Sequence, residues 1–519
     1  MREILLRCDE HHNAAWALTI GINPFAEDGL LPDPSLVRAR GMLPVRFRGL
    51  GVVSTADIAH AAFVGAMELV VPRFASRVDA AGNRSGGLFP QLGVVTGDAF
   101  GASMGRWSAL LATDLPMATS FRASWETMRT EAGARPGTVF FPPATDAPGR
   151  PHADDAPPPG GSKPRLQRLC TRELARTRAA AVATRMQLLP ENDMRAIAFE
   201  YAANGVLFFT LPQATTFCSK NEFAGAVAVY LGLEDPLVVA AIAAKGPGPH
   251  YIQDACALRL LDPYGSSLSM YMGKGHGRTR FHDDIQRSAA SLGRAVGLQI
   301  REVPGDLFLA AIPPRHRDNY LQSTGRDRGA NRGGVVPDLY ESSSKQMYDV
   351  KTTGFTGDDY ISGRLVVELK AATVEPQYKR RAAAADVRFN ETLPGAVGPV
   401  AAMLAALPVV QCISVGAFGE INRATQTFLA TIAEAGSNHP ERFGCCHGKV
   451  QARGVIAQWA WRHLGRVLLR GVVRVRHTAL TATMTTPGTG GPAAGLRRAE
   501  TPIWNEWDTG NRSWVPQHA

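Results

Sequence analysis

Residues 334–352 run Gly334-Val335-Val336-Pro337-Asp338-Leu339-Tyr340-Glu341-Ser342-Ser343-Ser344-Lys345-Gln346-Met347-Tyr348-Asp349-Val350-Lys351-Thr352, and the architecture turns on them. The pattern predicts two short strands, Gly334–Leu339 and Met347–Thr352. The polar run Glu341-Ser342-Ser343-Ser344-Lys345 between them is expected to be a hairpin loop. Side chains alternate along a strand, so Asp349 and Lys351 share one side while Val350 faces the core. Asp338 lies on the partner strand, 349 − 338 = 11 positions away, and the hairpin brings it close to Asp349. Two carboxylates and one amine are thus expected to converge.

Such a pair of acids suits a hard divalent cation, Mg²⁺ or Mn²⁺, that keeps several of its waters. A cation of this kind polarises a phosphodiester and lowers the pKa of a bound water. Lys351 would then stabilise developing negative charge or orient the attacking water. The plainer alternative is a turn at Pro337-Asp338 and a solvated strand face at Asp349 and Lys351.

Upstream, residues 282–297 form an amphipathic helix whose apolar stripe is Ile285, Ala289, Leu292 and Val296. Gly297 stops it, and Leu298–Val303 alternates as a half-buried strand does. Downstream lie a helix over 377–387, a buried strand over Pro408–Val415 and an amphipathic helix over Glu420–Ala435. The fold class expected is α+β and multidomain: a helical N-terminal part followed by an αβββαβ core.

The whole chain has 519 residues, 45% of them hydrophobic and 20% charged, enough to bury a substantial core. Lys and Arg outnumber Asp and Glu 56 to 46, a formal charge of +10, which favours a polyanionic partner, nucleic acid (DNA, or RNA) first and a membrane surface second. Seven cysteines without paired spacing point to a reducing compartment. Without an apolar run of about 18 residues, no membrane partner is expected, and the charged Met1–Arg7 start does not resemble a signal peptide.

Six segments are expected. Residues 1–131 are helical, with a helix over Ser54–Leu69. Residues 132–165, with thirteen Pro or Gly positions from Pro136 to Pro164, form a linker. Residues 166–250 are again helical, with helices near Arg165–Arg185 and Asn221–Leu233. Residues 251–435 hold the catalytic core, 445–482 a helix rich in Trp and Arg, and 483–519 a disordered tail.

The convergence of Pro337, Asp338, Asp349 and Lys351 on this element order resembles the PD-(D/E)xK nucleases, the fold of many restriction enzymes. The chain as a whole also resembles the segment after the polymerase core in reverse-transcriptase proteins of non-LTR retroelements. Leu43-Pro44-Val45-Arg46-Phe47-Arg48-Gly49-Leu50-Gly51-Val52 and the stretch from Phe223 to Leu231-Gly232-Leu233 carry that likeness. So do Cys256–Leu268, Arg280-Phe281-His282-Asp283 and Val415-Gly416-Ala417-Phe418-Gly419-Glu420. The resemblance implies a metal-dependent endonuclease that nicks target DNA for insertion, in an intracellular, nuclear setting. The alternative is a catalytically inactive nucleic-acid-binding remnant. The paired aspartates of the polymerase site are missing; Asp358-Asp359-Tyr360 has the wrong neighbours, so polymerase activity is not expected.

The candidate catalytic residues are Asp338, Asp349 and Lys351. Asp338, Asp349 and Asp283 are the candidate metal ligands, and Glu302 is a further choice for a third carboxylate. Arg280, His282, Lys379, Arg380, Arg462, Arg466 and Arg470 are candidates for nucleic-acid contact. The last three recur every four residues with Arg474 and form a stripe suited to sequence-independent phosphate contacts or simply to solvent. Zinc is not expected, because Cys256 is followed by Ser266, Ser267 and Ser269 where a knuckle needs ligands. Cys445-Cys446-His447 fits no standard metal site, and Asp9-Glu10-His11-His12 is taken as a surface cluster.

Overall fold

The computed structural model describes residues 2–20, 34–52, 54–56, 58, 59, 62, 166–202, 219–253, 258–271, 277–324, 334–355, 360, 365–443 and 448–484. The expected linker over 132–165, the tail beyond residue 484, Cys256 and Cys445-Cys446-His447 lie outside these residues. So does most of the helix expected over Ser54–Leu69. The chain divides into two compact units, Met1–Leu18 with Asn23–Leu188, and Thr19–Ile22 with Leu189–Ala519.

The first unit holds helices α1 (Arg2–Ile20), α2 (Pro34–Gly41) and α3 (Leu166–Gln187). Asp9 is buried rather than part of a surface cluster: its carboxylate accepts from the Ser54 hydroxyl at 2.5 Å and the Thr55 amide at 2.6 Å. It therefore tethers the start of the helical segment at Ser54 to α1. Leu43–Val52 is a tight 3₁₀ loop over buried Leu43, Leu50 and Val52. Gly49 is obligatory there, since a Cβ would stand 2.0 Å from the Leu43 carbonyl oxygen.

In the second unit the elements run α4 (Met194–Tyr201), α5 (Lys220–Leu231), α6 (Pro236–Ala244), β1 (Tyr251–Gln253), β2 (Leu258–Leu260), α7 (Ser266–Ser269), α8 (Gly277–Ala295), β3 (Ile300–Glu302) and α9 (Arg317–Thr324). They continue with β4 (Leu339–Glu341), β5 (Gln346–Thr352), α10 (Val366–Ala372), α11 (Val374–Phe389), α12 (Pro399–Ala405), β6 (Gln411–Val415), α13 (Arg423–Ser437) and α14 (Gly448–Met484). Helix ends follow local chemistry. Ser219 and Glu222 form a capping box on α5, which closes at left-handed Gly232 (φ 69°). Asp235 caps α6, with Pro236 in its first turn.

The architecture is α+β. A four-stranded mixed sheet has the order β3-β4-β5-β6, with β3/β4 and β4/β5 antiparallel and β5/β6 parallel. A separate hairpin pairs β1 with β2. From α8 to α13 the expected sequence of elements is present, with shifted bounds. The first hairpin strand begins at Leu339, where the expected Gly334–Leu339 strand ends. The reason is that Val335 and Val336 spend their backbone groups on side chains: the Val335 amide donates to the Tyr320 hydroxyl, and the Val336 carbonyl accepts from the Tyr378 hydroxyl. Pro337 has no amide to offer a sheet. Glu420 likewise precedes its helix, because Asn422 is the residue that caps α13.

The sheet is covered on both faces. Met347 and Cys412 pack against Val374, Tyr378, Ala382 and Phe389 of α11 and Val400 of α12. On the other face Tyr348 meets Phe428 of α13, with ring centroids 5.2 Å apart. The face carrying Asp349 is therefore an interior face too, which corrects the expected split between a core side and an open side.

Two further features concern organisation. The stretch Leu189–Ala519 falls in the second unit, so α4–α6, the sheet and α14 share one compact unit. Helix α14 has 37 residues and buries Ala452, Ile456, Ala460, Leu464 and Leu468 at every fourth position, packing against α5, α7, α8 and α13. Among the described residues, no single helix is long and apolar enough to cross a membrane.

Candidate active site at the β4–β5 hairpin

The β4/β5 register pairs Leu339 with Tyr348. One step outward, Asp338 stands across from Asp349. The Asp338 backbone is pinned twice, its carbonyl accepting from the Val303 amide at 2.9 Å and from Gln286 Nε2 at 3.0 Å. Its carboxylate Oδ2 accepts from the Val350 amide at 2.7 Å and stands 3.3 Å from His282 Nε2. Two residues of α8 thus reach Asp338: His282 faces its carboxylate, and Gln286 one turn later holds its backbone.

Asp349 is 4% exposed. Its Oδ1 accepts from the Tyr378 hydroxyl at 2.9 Å. Its Oδ2 is paired with the Lys351 ammonium at 2.5 Å. The Lys351 side chain keeps 31% of its surface exposed and the Asp338 side chain 22%, so the cluster opens on one side.

The electrostatics separate the two acids. Burial raises the Asp338 pKa, but His282, the Val350 amide and Lys351 outweigh it and hold this carboxyl below the usual carboxylate range. At Asp349, burial and then the Asp338 charge push the pKa up, against Lys351 and Tyr378. Burial alone would depress the His282 imidazole; Asp338 and Asp283 raise it instead. The Tyr378 hydroxyl is pushed well above its ordinary value by burial and by both aspartates, so it stays a neutral donor.

This donor set fits a hard cation on one count: two carboxylates adjoin, and Mg²⁺ typically takes one or two carboxylates plus water, although Lys351 already occupies one Asp349 oxygen. A third protein ligand is not supplied. Among the described residues no three His, Cys, Asp or Glu side chains cluster as a metal site. Asp283 turns to His282 at 3.3 Å. Glu302 is engaged by Arg294 at 2.8 Å.

The cationic candidates scatter. Arg280 is exposed in the first turn of α8. Lys379 and Arg380 are exposed on α11, with Lys379 paired to Glu375 at 2.6 Å. Arg462, Arg466 and Arg470 are half-buried rather than a solvated stripe, and Arg466 contacts His463 at 3.2 Å. Arg474 is tied to Glu222 at 2.5 Å, and Arg476 is buried. The physical reason is the packing of α14 on several sides, which draws its arginines into the interior.

Tyr378 and Gln286 are the contributors that sequence reasoning missed. Tyr378 shares the spacing of Val374, Ala382, Ala385 and Phe389, a buried stripe. A tyrosine on such a stripe needs an interior acceptor for its hydroxyl, which was the available signal. Gln286 follows His282 by one helical turn and so shares its face. No protein-family model matches the chain, and no curated protein is significantly similar to it.

Proposed function

We propose that this chain is a divalent-cation-dependent endonuclease of the PD-(D/E)xK kind, from a non-LTR retroelement protein, which hydrolyses DNA phosphodiesters. The supporting observation is the meeting of Asp338, Asp349 and Lys351 at one open-sided point on adjacent strands. The order α8, β3, β4, β5, α11, β6 also agrees with the αβββαβ core of that class.

Asp338 and Asp349 would hold Mg²⁺ or Mn²⁺, which supplies a polarised phosphodiester oxygen and a bound water of lowered pKa. The chain's own groups do the positioning. Tyr378 fixes one Asp349 oxygen and leaves the other toward Lys351. His282 and the Val350 amide fix the Asp338 carboxylate. The Lys351 ammonium is placed to stabilise negative charge on a phosphate oxygen or to orient water. Arg280 and Lys379 are accessible to a backbone phosphate, with DNA the favoured partner, RNA the second, and the nucleus the expected site of action.

One observation favours a second reading, an inactive nucleic-acid-binding remnant: each aspartate already has a cationic or protonatable neighbour, Lys351 on Asp349 and His282 on Asp338. Supercoiled plasmid decides between them. The nuclease reading expects Mg²⁺- or Mn²⁺-dependent nicking that Asp349→Ala abolishes. Undiminished nicking by that variant refutes the assignment, and DNA binding with no cation effect leaves the remnant.

A further inference from the structure

Where β5 ends, the chain borders a small, open pocket. Thr352, Thr353 and Gly354 line it from the strand, Arg278 and Phe281 from the first turns of α8, and Arg476 from α14. No acidic residue lines it.

Arg476 is 2% exposed. Its Nη1 donates to the Tyr264 carbonyl at 2.9 Å, while Nε and Nη2 have no hydrogen-bond partner among the described residues. The nearest acids, Asp235 and Asp262, attract the guanidinium electrostatically, but their hydrogen bonds go elsewhere. Asp235 accepts from the Leu237 amide and faces His477 at 3.2 Å. Asp262 accepts from the amides of Ser266 and Ser267. Two buried guanidinium nitrogens left without acceptors are costly unless an acceptor comes to them.

Thr353 repeats the pattern on a smaller scale. Its amide is spent on the Val415 carbonyl at 2.9 Å, but its buried hydroxyl has no partner among the described residues. The pocket also borders the first turns of α8, a helix of 19 residues whose dipole favours an anion at that end.

We infer that this pocket is a phosphate site, and that its natural occupant is a phosphate of the same nucleic-acid strand that meets Asp338 and Asp349. Thr353 follows Lys351 by two residues, about 6–7 Å along the strand, so both positions lie on one path. The strand as the source rests on the nuclease reading. The oxyanion chemistry rests on Arg476, Thr353, Arg278 and the helix end alone.

Calorimetric titration of inorganic phosphate into the full chain, without divalent cation or nucleic acid, tests the site independently of any nicking. Arg476→Met would also strip a donor from the Tyr264 carbonyl, so the variants used are Arg278→Gln and Thr353→Val, each checked for an unchanged circular dichroism spectrum. Phosphate binds the wild type, and each variant weakens it by roughly tenfold, the size of one charge-assisted hydrogen bond. A 12-nucleotide single strand then displaces the phosphate. Absence of phosphate binding, or equal affinity in wild type and both folded variants, overturns the site. Phosphate binding that the oligonucleotide does not displace overturns the strand as its source.

Discussion

Asp349 is an acid that the fold makes hard to ionise and then surrounds with the means to do so. Burial and Asp338 push its pKa up, while Lys351 and Tyr378 work the other way. Tyr378 has one proton for two acceptors, Asp349 Oδ1 and the Val336 carbonyl. Tyr378→Phe leaves both buried acceptors short and is expected to cost about 1–3 kcal/mol in urea unfolding; an unchanged midpoint would show that the hydroxyl carries no such weight. The neighbouring pair sets a pH window. His282 has a folded pKa raised above its ordinary value of 6.5, so its contribution is complete below 6.5 and fades as pH rises through the folded value. Asp338 has a folded pKa lowered below 3.8, so its contribution is present above 3.8 and fades as pH falls through the folded value. Cation-free protein should therefore lose stability as pH rises above neutrality, and His282→Gln should flatten that loss. Parallel pH profiles for the two proteins would contradict the pairing. The Asp338–Asp349 meeting was legible in the sequence because strand alternation and a short loop fix it. The Tyr378 contact was not, since it spans 29 positions and depends on how α11 settles on the sheet.

Elements that the sequence outlined well are those with a single buried stripe. Helix α8 buries Ile285, Ala289 and Leu292, three of the four stripe positions expected within it. Helix α14 is the opposite case: regular spacing of arginines reads as a wet face, yet neighbours on several sides leave little of it wet. Gly471 shows how close that packing is, because a Cβ there would stand 2.0 Å from a ring carbon of Phe281. Alanine at a helical glycine usually gains stability, by about 1 kcal/mol. Here the buried Phe281 ring must move, so Gly471→Ala is expected to lower stability by about 1–3 kcal/mol, the usual cost of overpacking. A stabilised variant in thermal unfolding would show that α8 and α14 do not meet this closely.

At the scale of the whole molecule, the sheet needs segments lying before residue 251 and after residue 435. Helix α14 covers α8 and α13, which in turn flank the strands. A fragment of residues 251–435 should lack a cooperative unfolding transition, whereas 189–484 should show one; cooperative unfolding of the shorter piece would restore the narrower domain. The sequence could not place these bounds, because a basic Trp/Arg-rich helix and an alanine-rich helix look alike whether they cap a core or stand outside it. The central claim remains that Asp338 and Asp349 together hold one divalent cation. Calorimetric titration of Mn²⁺ into the full chain tests it most directly, with the Asp338→Asn/Asp349→Asn double variant as comparison. One binding event in the wild type, lost in a folded double variant, is the predicted result; equal binding in both proteins, or no binding in the wild type, would contradict it.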